Sequence, residues 1–112
     1  KEPVVSTDNA QYAILSNERV MLDYKANFAT LSKETLIKIN TISAKLKADP
    51  LMKVLITAHY ASDSNLEQKL ADNRIASVMT YLGIKGIDEN RVQVEKLRSG
   101  KLKNSVAVNY LY

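Results

Sequence analysis

The chain has 112 residues, 46% of them apolar, which is enough for one domain around a single core. Sixteen Lys and Arg against twelve Asp and Glu leave a net charge of +4, scattered along the chain, so anionic partners are favoured only mildly. One Phe, no Trp and no Cys speak against base stacking, disulfides and thiolate metal sites, and the single His59 speaks against a histidine metal site.

No apolar run approaches the roughly 20 residues of a membrane span, so direct membrane insertion by this domain is not expected. The chain starts at Lys1 rather than Met, as a processed or trimmed piece of a longer protein would. A signal peptide or lipid-anchor cysteine is then expected outside it.

Residues 1–18 read as a flexible lead-in or linker, rich in turn formers at Pro3, Ser6, Thr7, Asp8 and Asn9. Within it, Gln11 to Leu15 fits either a short strand or a turn of helix. The domain itself is expected over 19–112. Arg19 to Tyr24 alternates, with Val20, Leu22 and Tyr24 on one side, as a half-buried strand does. Ser32 is a good N-cap, and Leu36, Ile39, Ile42 and Leu46 recur at helical spacing, so a helix is expected over Ser32 to Ala48. Asp49-Pro50 ends it. Leu51 to Ala58 is short, apolar and β-branched, and reads as a central strand.

His59 to Asn65 is then a loop into a long helix, from about Asn65 to Ile84, with Leu66, Leu70, Val78, Met79 and Leu82 as core candidates. Lys85-Gly86 is its stop, with Ile87 folding back on the last turn. Arg91 to Leu97 alternates, with Val92 and Val94 inward. Arg98-Ser-Gly-Lys101 reads as a hairpin turn into a closing strand, Leu102 to Tyr112, with Val106, Val108 and Tyr110 on one face. The order β-α-β-α-β-β predicts an α+β fold, a two-layer sandwich with a mixed sheet and two helices on one face.

Arg74 interrupts this reading. Leu70, Arg74, Val78 and Leu82 follow at four-residue steps along one side of the long helix, so a cation falls among apolar neighbours. It must snorkel out, pair with an acid such as Asp63 or Glu67, or await an anionic ligand.

From about Tyr24 to Tyr110 the residues resemble the OmpA-like domain, the peptidoglycan-associating module of bacterial envelope proteins. The resemblance is carried by Tyr24, Asn27 and Leu31-Ser32, by the strand ending in Ala58-His59-Tyr60-Ala61, and by the long helix. There Leu70, Arg74, Val78, Tyr81-Leu82, Gly86-Ile87 and Arg91-Val92 stand in register with the family pattern. The resemblance implies that Arg74 takes the carboxylate of the diaminopimelate in a peptidoglycan stem peptide. The family's partner acid, which takes the ammonium, is replaced by Ala61, with Asp63 two residues further on. Glu67 stands where the family often has Asn, Lys103-Asn104-Ser105 replaces its usual Asn-Arg-Arg, and its long last connection is shortened.

The expected site is therefore Arg74 with Asp63 or Glu67, and His59, Asn65 and Tyr60 shaping the pocket. No catalytic group, metal site or cofactor is expected. His59 has no nucleophile in a recognisable setting, and reads better as a hydrogen-bonded residue at a strand end. Lys96, Arg98, Lys101 and Lys103 read as a solvated basic tip. Two functions follow. One is a non-catalytic peptidoglycan-binding module in the periplasm, tethered to the outer membrane, or to the inner, through a lipoprotein or membrane-anchored parent. The other is the same fold with a decayed site, serving protein interactions with other envelope proteins in a motility or secretion machine.

Overall fold

The computed structural model describes residues 14–111, with side chains from Arg19 onward. Strand β1 (Ile14–Asp23) leads to helix α1 (Lys33–Ala48), strand β2 (Lys53–Tyr60) and helix α2 (Asn65–Ile84). A turn of 3-10 helix at Glu89–Arg91, strand β3 (Val92–Arg98) and strand β4 (Ser105–Leu111) complete it. The result is the expected α+β architecture, a mixed four-stranded sheet with both helices on one face.

The core lies between those layers. Leu22, Val54, Ile56, Ala58, Val106, Val108 and Tyr110 alternate along the strands and meet Ile39, Ile42 and Leu46 of α1 and Ala71, Ile75, Val78 and Leu82 of α2. Each fully buried aliphatic side chain contributes about 1.5–3 kcal/mol. Helix α1 starts as its sequence dictates, with Ser32 Oγ accepting the Thr35 N–H at 3.1 Å.

Strand order departs from the expected hairpin. The sheet runs β1-β4-β2-β3, so β4 lies between β1 and β2, antiparallel to both, and β3 pairs parallel to β2 at the edge. Residues 99–104 therefore do not join paired strands; they cross the end of β2, where Ser99 donates to the Tyr60 carbonyl at 2.8 Å. Side-chain composition explains the order. Ser105 to Val108 is buried on both faces, as a central strand must be, whereas β3 carries Glu95, Lys96 and Arg98 and is fit for an edge.

Several boundaries and burials also differ. β1 begins at Ile14 rather than Arg19; the open stretch Gln11 to Ala13 and the rest of 1–13 lie outside the described residues, as does Tyr112. β2 is displaced to Lys53–Tyr60, because Asp49 folds the preceding segment into a turn: its carbonyl accepts Met52 N–H and its carboxylate accepts Leu51 N–H. At the other end His59 and Tyr60 pair with Leu97 and Arg98, and so belong to the strand rather than the loop. Val94 is 48% exposed because β3 is an edge strand that the helices barely cover. Leu66 is 77% exposed, since the buried stripe of α2 begins only at Ala71, about 100° per residue around from it.

Candidate functional site

Helix α2 is fixed at both ends. Ser64 Oγ accepts the Glu67 N–H at 3.2 Å, and Glu67 places its charge in the first turn, where the helix dipole favours it. At the far end Ile87 N–H reaches the Leu82 carbonyl and Gly86 N–H the Gly83 carbonyl, each at 3.0 Å. That is a Schellman motif, and it needs the φ of +89° that Gly86 adopts. So anchored, α2 presents Ala71, Arg74, Ile75, Val78 and Leu82 to the sheet.

Arg74 is only 1% exposed. Its guanidinium reaches the connections that follow β1 and β3: Nε donates to the Phe28 carbonyl at 2.9 Å, Nη1 to the Lys103 carbonyl at 2.8 Å, and Nη2 to the Lys25 carbonyl at 3.1 Å. Nη2 also lies 3.4 Å from Asn104 Oδ1. These partners are carbonyl dipoles and not a carboxylate. A buried cation is tolerable here because several oxygens share it. Burial still pushes its pKa below the ordinary value, and the Tyr24 and Glu67 charges oppose that.

Tyr24 completes the setting. The Arg74 guanidinium lies 5.0 Å from its ring centroid, and its hydroxyl lies 3.1 Å from Ser77 Oγ. Burial raises the phenol's pKa above its ordinary 10.0, with Ser77 and Arg74 pulling the other way.

The other expected residues divide into separate places. Asp63 pairs with Arg98 at 3.0 Å, both side chains well exposed, and so holds the β2–α2 loop to the end of β3 rather than meeting Arg74. Glu67 lies on the Arg74 side of α2 and accepts the Ala61 N–H at 3.1 Å, which closes that loop. His59 is 3% exposed; its Nδ1 is 3.0 Å from the Ser105 carbonyl, which can only accept, so the ring proton sits on Nδ1. Asn65 is exposed in the first turn of α2, and Tyr60 is half-buried against the core. The basic tip is not merely solvated: Lys96 pairs with Asp72 at 3.0 Å, Arg98 with Asp63, and Lys103 supplies a carbonyl to Arg74.

No family model matches the chain by sequence, and no curated protein matches it. Its three-dimensional structure does have relatives. It is similar to the OmpA-like domain of FopA1 from Francisella tularensis, with a TM-score of 0.69 at 16% identity over 84% of this chain and 73% of that one. The chain has the OmpA-like fold. The peptidoglycan-associated lipoprotein from Burkholderia pseudomallei is similar with a TM-score of 0.68 at 12% identity, covering 80% of this chain and 88% of that one. The periplasmic domain of Helicobacter pylori MotB follows the same path with a TM-score of 0.63 at 19% identity, over 82% and 78% of the two chains.

Within this fold the residues around Arg74 that sequence reasoning did not connect to it are Lys25, Phe28 and Lys103. They contribute backbone oxygens, which no side-chain pattern records. The one available signal was Asn27, whose φ of 68° turns the loop so that the Lys25 and Phe28 carbonyls point the same way. Among the described residues no group of His, Asp and Glu is arranged to hold a metal ion, and no helix is long and apolar enough to cross a membrane.

Proposed function

We propose that this domain is a non-catalytic module of the bacterial cell envelope that works in the periplasm and associates with peptidoglycan, holding a larger protein to the wall. The fold it shares with a peptidoglycan-associated lipoprotein and with a periplasmic MotB domain supports this reading. The observation that carries it is Arg74, a guanidinium set in the helix stripe beneath the loops, with Glu67 on the same side. In its finer form a stem-peptide end bearing both an ammonium and a carboxylate is the ligand. Arg74 takes the carboxylate through Nη2, whose bonds to Lys25 and Asn104 are the longest it makes. Asp63 or Glu67 takes the ammonium, and His59, Asn65 and Tyr60 shape the pocket.

A second reading has its own observation. Each Arg74 guanidinium nitrogen has a partner inside the chain, Asp63 is engaged by Arg98, and Ala61 offers no charge. These favour a domain that keeps the fold for protein contacts within an envelope machine while its wall site has decayed. Co-sedimentation with purified sacculi separates the two. Pelleting of the folded domain, weakened by Arg74→Lys and by Glu67→Gln, upholds the wall anchor. A folded domain that stays in the supernatant rules it out and leaves the protein-interaction reading.

A further inference from the structure

The connection from β1 to α1 borders an open hollow of about 560 Å³, lined by residues that all fall between Asp23 and Glu34. That volume lies in the range of roughly 300–1,000 Å³ usual for small-molecule sites. The walls do not depend on a guest to stand. Phe28 N–H donates to the Lys25 carbonyl at 3.1 Å across the Asn27 turn, and Arg74 grips the Lys25 and Phe28 carbonyls from beneath. Thr35 Oγ1 holds the Asp23 carbonyl at 3.3 Å, and Ser32 caps α1. The loop is thus tied at its start, its middle and its end, which lowers the ordering cost of binding.

Phe28 stands 58% exposed at this cavity. One exposed apolar side chain is ordinary. An exposed flat ring bordering a preformed hollow of ligand size is a platform. Around it the lining offers acceptors at Asp23 and Glu34, a donor at Lys25 and a hydroxyl at Thr30. Both signs of charge in one small lining disfavour a bare cation, which Lys25 repels, and a bare anion, which the two carboxylates repel. A neutral ring with an apolar C–H face and a rim of hydroxyls suits a lining that joins an exposed ring to polar groups of both signs.

We propose that this cavity is a carbohydrate subsite that takes one neutral sugar ring, its C–H face on Phe28 and its hydroxyls between Asp23, Glu34 and Lys25. It deepens the wall-association reading, on which it rests for the source of the sugar, by adding the glycan strand to the stem peptide.

The test is a titration of N-acetylglucosamine trimer into the folded domain, followed by amide shifts in ¹H–¹⁵N NMR. Shifts confined to residues 23–34, weakened roughly tenfold by Phe28→Ala and reduced by Glu34→Gln, support the subsite. Phe28 is exposed, so its replacement leaves the fold intact, and a thermal melt checks this. An equal response to cellotriose widens the ligand to glucose-type rings and also supports it. The absence of shifts, shifts indifferent to Phe28→Ala, or the same shifts produced by cadaverine in place of sugar would each overturn it. Sacculi separate the two proposals. If the trimer binds at Phe28 while sacculi leave the domain in solution, the wall-anchor reading fails and the sugar site stands. If sacculi pellet wild type and Phe28→Ala alike and the trimer gives no shifts, the sugar site fails and the anchor stands.

Discussion

Arg74 lies over the ring of Tyr24, 5.0 Å from its centroid, and the Tyr24 hydroxyl in turn reaches the Arg74 carbonyl at 3.4 Å. Strand end and helix middle are thereby joined through two groups of opposite electrical character. The guanidinium then carries the connection onward to the loops above it.

Replacing Arg74 with Ala leaves the carbonyls of Phe28, Lys103 and Lys25 without their shared donor. Urea denaturation should show a loss of about 2–4 kcal/mol. Arg74→Lys should recover only part of it, because a single ammonium lacks the planar fork that spans separated oxygens. A lysine variant as stable as wild type would show that charge, not geometry, sets the role of this residue.

Asp63→Ala should cost less than about 0.5 kcal/mol, since its pair with Arg98 is exposed on both sides. The same urea series checks it. A loss comparable to that of Arg74→Ala would mean that Asp63 reaches the guanidinium in solution.

Alkaline pH should weaken the fold through Tyr24. Its phenol is raised above the ordinary 10.0 by burial, so the unfolded chain releases this proton first as pH climbs. The Tyr24 contribution is whole below pH 10 and is lost as pH rises through the raised value. Tyrosinate absorbance should carry a late phase from Tyr24, and Tyr24→Phe should remove that phase.

The two glycines at the end of α2 should respond in opposite directions. Gly86 occupies the left-handed region at φ +89°, so Gly86→Ala should destabilise by about 1 kcal/mol. Gly83 is inside the helix with nothing within 4 Å of an added Cβ, so Gly83→Ala should stabilise by about 0.4–1 kcal/mol. Thermal melts of the two variants suffice.

Local rules carried most of the secondary structure. Ser32 capping, the Ile39–Ile42–Leu46 spacing, and Gly86 with Ile87 each act within a few residues, so their effect was legible in the sequence. Pairing of the strands was not. Ser99-Gly100 looks like a turn locally, and only the contrast between charged β3 and apolar β4 says that β4 belongs inside and β3 at the rim. At the site, Arg74 was legible as a cation out of place. Its partners were not, because a carbonyl oxygen belongs to every residue and marks none. Asp63 looked available because the sequence does not reveal that Arg98 comes to it along the edge strand.

The placement of β4 has a consequence for the order in which the molecule assembles. Among the described residues β1 pairs only with β4, and β2 pairs with β4 from Lys53 to Ala58, yet β4 is the last of these strands in chain order. The first strand and the last must meet across nearly the full span between them before either is held. Such long-range closure makes for slow, all-at-once folding, in which no leading portion of the sheet gains lasting structure by itself. Shortening the chain from the β4 side should therefore abolish folding altogether, where trimming the β3 edge would only loosen it.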